Sequence, residues 1–205
     1  MESLQPFATQ TPKVHQILNG AKQVFLELGY EGTSVEAIAR RAKVSKGTLY
    51  NYFPDKRALF TAVVEGECHE QAQRIFQIER NGEAIATVLY QIALNYVTFL
   101  VSPFAQSMFR IAIAEAQRFP ALGHTFYRSG PELGTHRLIQ FFNEAVARGE
   151  LVIDNPELAA HQFIELCKAD LFYKCLLSVK SQVSPSEIER IASGAVETFL
   201  KAFGR

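Results

Sequence analysis

From Val14 onward the apolar residues recur at spacings of three and four. Val14, Ile17, Leu18, Ala21, Val24, Phe25 and Leu28 make one stripe, the pattern of an amphipathic helix. Thr11 caps it, Pro12 opens it and Gly29 stops it. Val35, Ile38 and Ala39 repeat the spacing over a shorter stretch that closes on Arg40 and Arg41, cations placed at the negative end of a helix dipole. Thr33 and Glu36 have capping-box spacing, which makes Thr33 the expected cap, its hydroxyl accepting the Glu36 amide. Ala42, Lys43 and Val44 form a turn, with Val44 expected to plug the gap between helices. Ser45 then caps a second short helix, Lys46 to Phe53, in which Leu49 and Phe53 turn inward. Pro54 ends it, because the residue before a proline is pushed out of the helical region.

Longer amphipathic runs follow, punctuated by proline and glycine. The pattern predicts helices over Asp55 to Arg80, Glu83 to Val101, Pro103 to Arg118, Pro131 to Arg148, Pro156 to Leu177 and Ser186 to Phe203. A break falls at Asn81-Gly82, and a short helix or turn over Ala121 to Gly130 folds Phe126 and Tyr127 inward. Alternating strand patterns, internal repeats and low-complexity segments are missing, so the expected class is all-α. At 205 residues the chain can bury one core, or one core and a small satellite. The expected division is a loose arm over 1–10, a three-helix head with a helix-turn-helix over 11–60, and a larger helical bundle over 61–205. The helix from Asp55 is shared by head and bundle, which makes it the expected mechanical link.

The second short helix has unusual chemistry for a core element. Gly47 in its first turn costs about 1 kcal/mol against alanine, a cost that close approach of the backbone to a phosphate or base edge would explain. Ser45, Lys46, Thr48, Tyr50 and Tyr52 set hydroxyls and an ammonium on the surface left by Leu49 and Phe53. In a helix-turn-helix the start of the second helix meets base edges in the major groove, and hydroxyls, cations and helix N-terminal amides meet phosphates. The helix-turn-helix spans 34–53, with Ser34 at its edge. Net charge over the whole chain is zero, but its distribution is uneven. From Lys13 to Phe60 there are eight Lys/Arg against four Asp/Glu, whereas 61–205 carries thirteen against sixteen. A basic head on an acidic body fits a nucleic-acid partner.

The stretch Gly29-Tyr30-Glu31-Gly32-Thr33-Ser34-Val35-Glu36-Ala37-Ile38-Ala39, then Val44-Ser45-Lys46-Gly47-Thr48-Leu49-Tyr50-Asn51-Tyr52-Phe53 and Lys56-Arg57-Ala58-Leu59-Phe60, resembles the N-terminal domain of TetR-type (TetR/AcrR) transcriptional regulators. The likeness runs from about Val14 to Val64. It implies an all-helical homodimer, mostly acting as a repressor, that leaves its double-stranded DNA operator when a small ligand enters the C-terminal domain. It also implies that Thr33 and Tyr50 hold phosphates, that Lys46, Gly47 and Thr48 face bases, and that Lys56 grips the backbone; Tyr52 is either a phosphate donor or packing. Phe109 to Leu122, Phe126-Tyr127 and Asn155 to Phe163 are similar to the C-terminal domain of the AefR-like branch.

The last two predicted helices carry more apolar surface than one core needs. Leu171, Cys175, Ile191, Ala195, Phe199 and Leu200 are therefore the expected dimer face, since a helix apolar all round is buried on all sides. The central helices are rich in aromatic residues, and an apolar cavity with few polar groups suits a small molecule. Tyr96, Phe99, Phe109, Ile113, Phe126, Phe141, Phe163 and Cys167 are the expected lining, with Glu115, His136 and Asp170 as further polar candidates.

Enzymatic chemistry has no footing: no nucleophile–base–orienter set, no phosphate-cradling loop and no paired carboxylates stand out. No Cys/His cluster has metal spacing, and neither a metal nor a cofactor is expected. Cys167 and Cys175 fall on one predicted helix about 12 Å apart by helical rise, too far to bridge. The first ten residues lack a basic start and an apolar core, so no signal peptide is expected. Ile92 to Val101 is too short an apolar run to span a bilayer. The expected location is the cytoplasm, away from membranes. A DNA-binding protein without ligand control, and an activator, remain alternatives.

Overall fold

The computed structural model describes residues 11–78 and 82–205. The expected arm over 1–10, Arg80 at the expected end of the linking helix and Asn81 of the break lie outside them. The described chain is helical: α1 (Pro12–Gly32), α2 (Val35–Arg41), α3 (Lys46–Tyr52), α4 (Lys56–Phe76), α5 (Ile85–Leu100), α6 (Pro103–Glu115), α7 (Pro120–Tyr127), a π-helical turn (Arg128–Glu132), α8 (Leu133–Ala147), α9 (Pro156–Cys167), α10 (Leu171–Leu176) and α11 (Pro185–Phe203). Among the described residues the β-type pairing is an isolated bridge, Leu151 to Gly204. No single described helix is long and apolar enough to cross a membrane.

The chain divides into two compact units. The first holds the N-terminal part to Glu70 together with Ser107–Gly130, and the second holds Gln71–Gln106 with Pro131–Arg205. These units do not follow the expected boundary at residue 60. Residues 61–70 and 107–130, assigned from sequence to the bundle, pack with the head.

In the first unit, Ile17, Leu18, Ala21, Val24 and Phe25 of α1 bury the predicted stripe. Gly29 takes a left-handed φ of 70° and breaks α1 where the stop is expected. Tyr30 swings inward after that break. Its ring packs on Phe25 (6.0 Å between centroids), Phe60 of α4 (5.3 Å) and Phe119 ahead of α7 (5.9 Å). Burial raises the Tyr30 phenol above its usual range. Gly20 lets α1 approach the helix-turn-helix turn: a Cβ there would stand 2.8 Å from the Ala42 Cβ. Beside it, Gln16 Nε2 donates to the Ala42 carbonyl at 2.6 Å. Lys22 of α1 pairs with Glu67 of α4 at 2.5 Å.

The second unit is built on α5, α8, α9 and α11. Phe142, Phe163 and Phe199 form its aromatic centre, Phe142 stacking on Phe199 at 4.9 Å and Phe163 meeting Phe199 edge-on at 5.1 Å. The helix expected over Pro156 to Leu177 is two helices. Lys168 ends α9, and Asp170 follows at φ 61° and ψ −68°, a γ-turn closed by the Leu171 amide donating to the Ala169 carbonyl at 2.7 Å. Its carboxylate pairs with Lys174 (2.5 Å) and Arg190 (3.0 Å), which hold its pKa down. Cys167 and Cys175 accordingly lie on different helices, and both are free thiols. Ser184 begins α11 with a full capping box to Glu187.

Candidate nucleic-acid interface

The helix-turn-helix forms where its caps and apolar contacts require it. Ser34 accepts the Ala37 amide at 3.1 Å and is the cap of α2. This corrects the expectation for Thr33, whose hydroxyl donates to the Gly29 carbonyl at 2.6 Å. Thr33 is 3% exposed. The kink at Gly29 turns that carbonyl toward Thr33, so the hydroxyl that a phosphate contact would need is spent inside the head. Ser45 caps α3, accepting the Thr48 amide at 3.0 Å, and its hydroxyl lies 2.8 Å from that of Thr48. Leu49 and Phe53 are buried, as their spacing predicts.

With those anchors inside, α3 shows Lys46, Gly47, Tyr50, Asn51 and Tyr52 to solvent, with Thr48 half-buried. Tyr50 and Tyr52 are 44% and 42% exposed, high for rings of that size. A Cβ on Gly47 would meet only the Ser45 Oγ, at 3.8 Å. Nothing inside the head therefore requires glycine there. Lys46 is in an ion pair with Glu36 of α2, and its ammonium lies 5.8 Å from the centre of the Tyr50 ring. The paired charges hold the Glu36 carboxyl down and the Lys46 ammonium up. Lys56 is engaged elsewhere: its Nζ donates to the Tyr30 carbonyl at 2.8 Å and sits 4.5 Å over the Tyr30 ring. It tethers the kinked end of α1 to the start of α4. Arg41 is likewise tied, by a two-pronged pair with Glu27 at 2.6 Å on both arms. The partners Glu36, Glu27 and Tyr30 carry no periodic signal; they are long-range neighbours of the cations they hold.

The expected cavity lining is divided between the units. Phe109 and Phe126 meet edge-on at 5.0 Å in the first, where Ile113 is 64% exposed. Tyr96, Phe99, Phe141, Phe163 and Cys167 fall in the second. There Phe163 and Cys167 are core residues. Burial pushes the Cys167 thiol up to about 12 and raises the Tyr96 phenol, with Cys167 beside it as a second cause. Phe141 lines a groove of about 200 Å³ with Phe76, Ile78, Ile92 and Arg137, and Phe99 lines another of about 260 Å³ with Arg74 and Asn95. Of the polar candidates, Glu115 is buried, His136 is exposed and Asp170 is engaged in its ion pairs. The expected dimer face lies largely inside the single subunit. Leu171, Cys175, Ile191, Ala195 and Phe199 are all under 9% exposed in the single subunit, and Leu200 packs half-buried against the same core. The inward faces of α9 and α11 are covered by α5, α8 and each other, while Leu158, Tyr173 and Leu177 stay exposed.

Comparison with known proteins reaches both parts of the chain. Residues 17–63 match the bacterial regulatory proteins of the tetR family, and residues 87–205 match the C-terminal domain of AefR-like transcriptional repressors. A crystal structure from Mesorhizobium loti MAFF303099, described as a TetR-family transcriptional regulator, has a TM-score of 0.89 at 29% identity, covering 96% of this chain and 100% of that one. The flavonoid-responsive regulator FrrA is 36% identical, with a TM-score of 0.77 over 94% of this chain and 97% of that one. The uncharacterised regulator YuxN of Bacillus subtilis is 22% identical over 90% of this chain; the match spans 62% of YuxN. With α3 exposed on its buried anchors and both segments matched, the chain belongs to the TetR family of DNA-binding transcriptional regulators, in its AefR-like branch.

Proposed function

We propose that this regulator is a homodimeric repressor that reads a palindromic operator with α3 and leaves it when a small, largely apolar aromatic ligand binds the body. The observation that carries the reading is α3 itself. Its apolar residues are buried, while Lys46, Gly47, Tyr50 and Tyr52 remain exposed, and no packing demand explains the glycine. In this reading Lys46, Gly47 and Thr48 face bases, and Ser34, Ser45 and Tyr50 approach phosphates. Tyr52 adds a phosphate contact at the far end of α3. Thr33 and Lys56 act indirectly, by fixing the bend between α1 and α2 and the start of α4.

For the ligand, the support is the likeness to FrrA, named for its response to flavonoids, and the aromatic content of the body. A planar phenolic compound is the class that fits both. Phe99 and Phe141, already lining open grooves, are the residues of the expected lining best placed to meet it; Tyr96 adds a phenol.

For the dimer, the face that a second copy would cover is the outer one. Leu158, Tyr173, Leu177 and Val179 are 53%, 54%, 72% and 73% exposed. Gly194 lies at an exposed position of α11 with nothing within 4 Å of its Cβ direction, as close approach of another helix would favour.

Fluorescence anisotropy on DNA tiled across the protein's own promoter, at two salt concentrations and with and without a flavone, tests the whole reading. Tight, salt-sensitive binding to one palindromic tile, released by the flavone, is expected. Binding equal on all tiles would overturn the sequence-specific regulator. Specific binding indifferent to the flavone would leave the DNA reading standing and remove this ligand class.

A further inference from the structure

The exposed cation on α3 is not free. Lys46 meets Glu36, ten residues earlier on the first turn of α2. Both side chains are more than half exposed, at 52% and 58%. Burial therefore does not force the pairing, and an exposed ion pair adds little to stability. The Tyr50 ring, one turn further along α3, lies under the same ammonium, its centre 5.8 Å away.

The geometry points to Glu36 as a specificity-determining residue that holds Lys46 for a base edge and keeps it off the phosphate backbone. The inference rests on the proposed placement of α3 in the major groove. An ammonium has three donors, so Lys46 can keep Glu36 and still donate to guanine O6 or N7, the usual acceptors of lysine in that groove. A phosphate meets the pair differently: Lys46 and Glu36 together offer it no net charge, and the carboxylate repels it, whereas a neutral guanine edge needs only a free donor. At physiological salt, where screening reaches about 8 Å, that repulsion is felt. The pair thus penalises non-specific binding, which is nearly all phosphate electrostatics, more than binding to a site that offers guanine.

The test compares wild type with Glu36→Gln, Lys46→Met and the double variant. A charge-matched control, Glu27→Gln, removes the other acidic residue paired to a helix-turn-helix cation. The probes are a scrambled duplex of about three helical turns and the duplex that wild type selects most strongly from a randomised pool. Glu36→Gln is expected to bind the scrambled duplex about two- to fivefold more tightly and to steepen the salt slope by about one phosphate's worth. It should gain less on the selected duplex, so the specificity ratio falls. Both effects should vanish in the Lys46→Met background and be small for Glu27→Gln. Equal effects of Glu36→Gln and Glu27→Gln would reduce the result to net charge and overturn the inference. No change for Glu36→Gln, with binding lost in Lys46→Met, would overturn it while keeping α3 as the reading helix. Indifference to both changes would overturn the placement of α3 as well.

Discussion

Two glycines of identical chemistry carry different loads, and their surroundings distinguish them. Gly20 stands where α1 meets the helix-turn-helix turn, and a methyl group there would lie 2.8 Å from one side-chain atom and 2.9 Å from the amide of Ala42. Gly20→Ala should therefore destabilise the head by about 1–3 kcal/mol, despite the roughly 1 kcal/mol gained in helix propensity; thermal unfolding measures the balance. Gly47 has open space instead. Gly47→Ala should raise stability by up to about 1 kcal/mol while weakening DNA binding, two readings taken on one purified sample. A stable variant that binds DNA as wild type does would remove the close approach to DNA as the reason for glycine. The glycine at 47 was conspicuous in the sequence, because it sits in a capped helix. The one at 20 was hidden inside an unremarkable stripe, since its cause is a residue twenty-two positions away. Thr33, Lys46 and Lys56 show the same limit. Their donor chemistry is legible from residue type, but which acceptor each finds depends on a fold that brings Gly29, Glu36 and Tyr30 to them.

At the scale of helices, the boundaries set by local chemistry were the readable ones. Ser45 and Pro54 delimit α3, and Gly29 breaks α1, because caps and backbone preferences act within a few residues. The split of the predicted long helix into α9 and α10 was not readable, since Lys168-Ala169-Asp170 carries neither glycine nor proline. The bend at Asp170 is a backbone γ-turn, and its carboxylate meets Lys174 and Arg190, the latter from α11. The start of α11 supplies a pH test. The Ser184 amide, then Lys180 and the Ser184 hydroxyl, lower the Glu187 carboxyl from 4.5 to about 2. A lowered carboxyl stabilises the fold fully above its unfolded value and loses that contribution as pH falls through the folded one. Glu187→Gln should thus be less stable than wild type above about pH 5, with the gap in melting temperature closing toward pH 2. A gap independent of pH would mean that shape, not charge, makes the cap. Ser184→Ala should cost about 0.5–2 kcal/mol near neutral pH, part of it disappearing as Glu187 is protonated.

For the whole molecule, the inward face of α11 and its outward face call for opposite experiments. Phe199 stacks on Phe142 in the subunit core, so Phe199→Ala should cost about 3–5 kcal/mol of stability and gives no clean test of assembly. Gly194→Arg does: it enters open space in one subunit but would obstruct a second copy. Sedimentation should show folded monomers with unchanged helicity and poor binding to a two-half-site duplex, whose halves a dimer spans at about 34–36 Å or a multiple. An intact dimer would place the interface elsewhere. The sequence by itself determined the helical class, the helix-turn-helix and the family, because periodicity, caps and a contiguous motif are written within short stretches of chain. The tertiary structure alone decided which apolar stripes close on their own subunit, which compact unit claims residues 61–70 and 107–130, and which partner occupies each cation of the head. Periodicity says that a face will be covered; only the packed chain says by what.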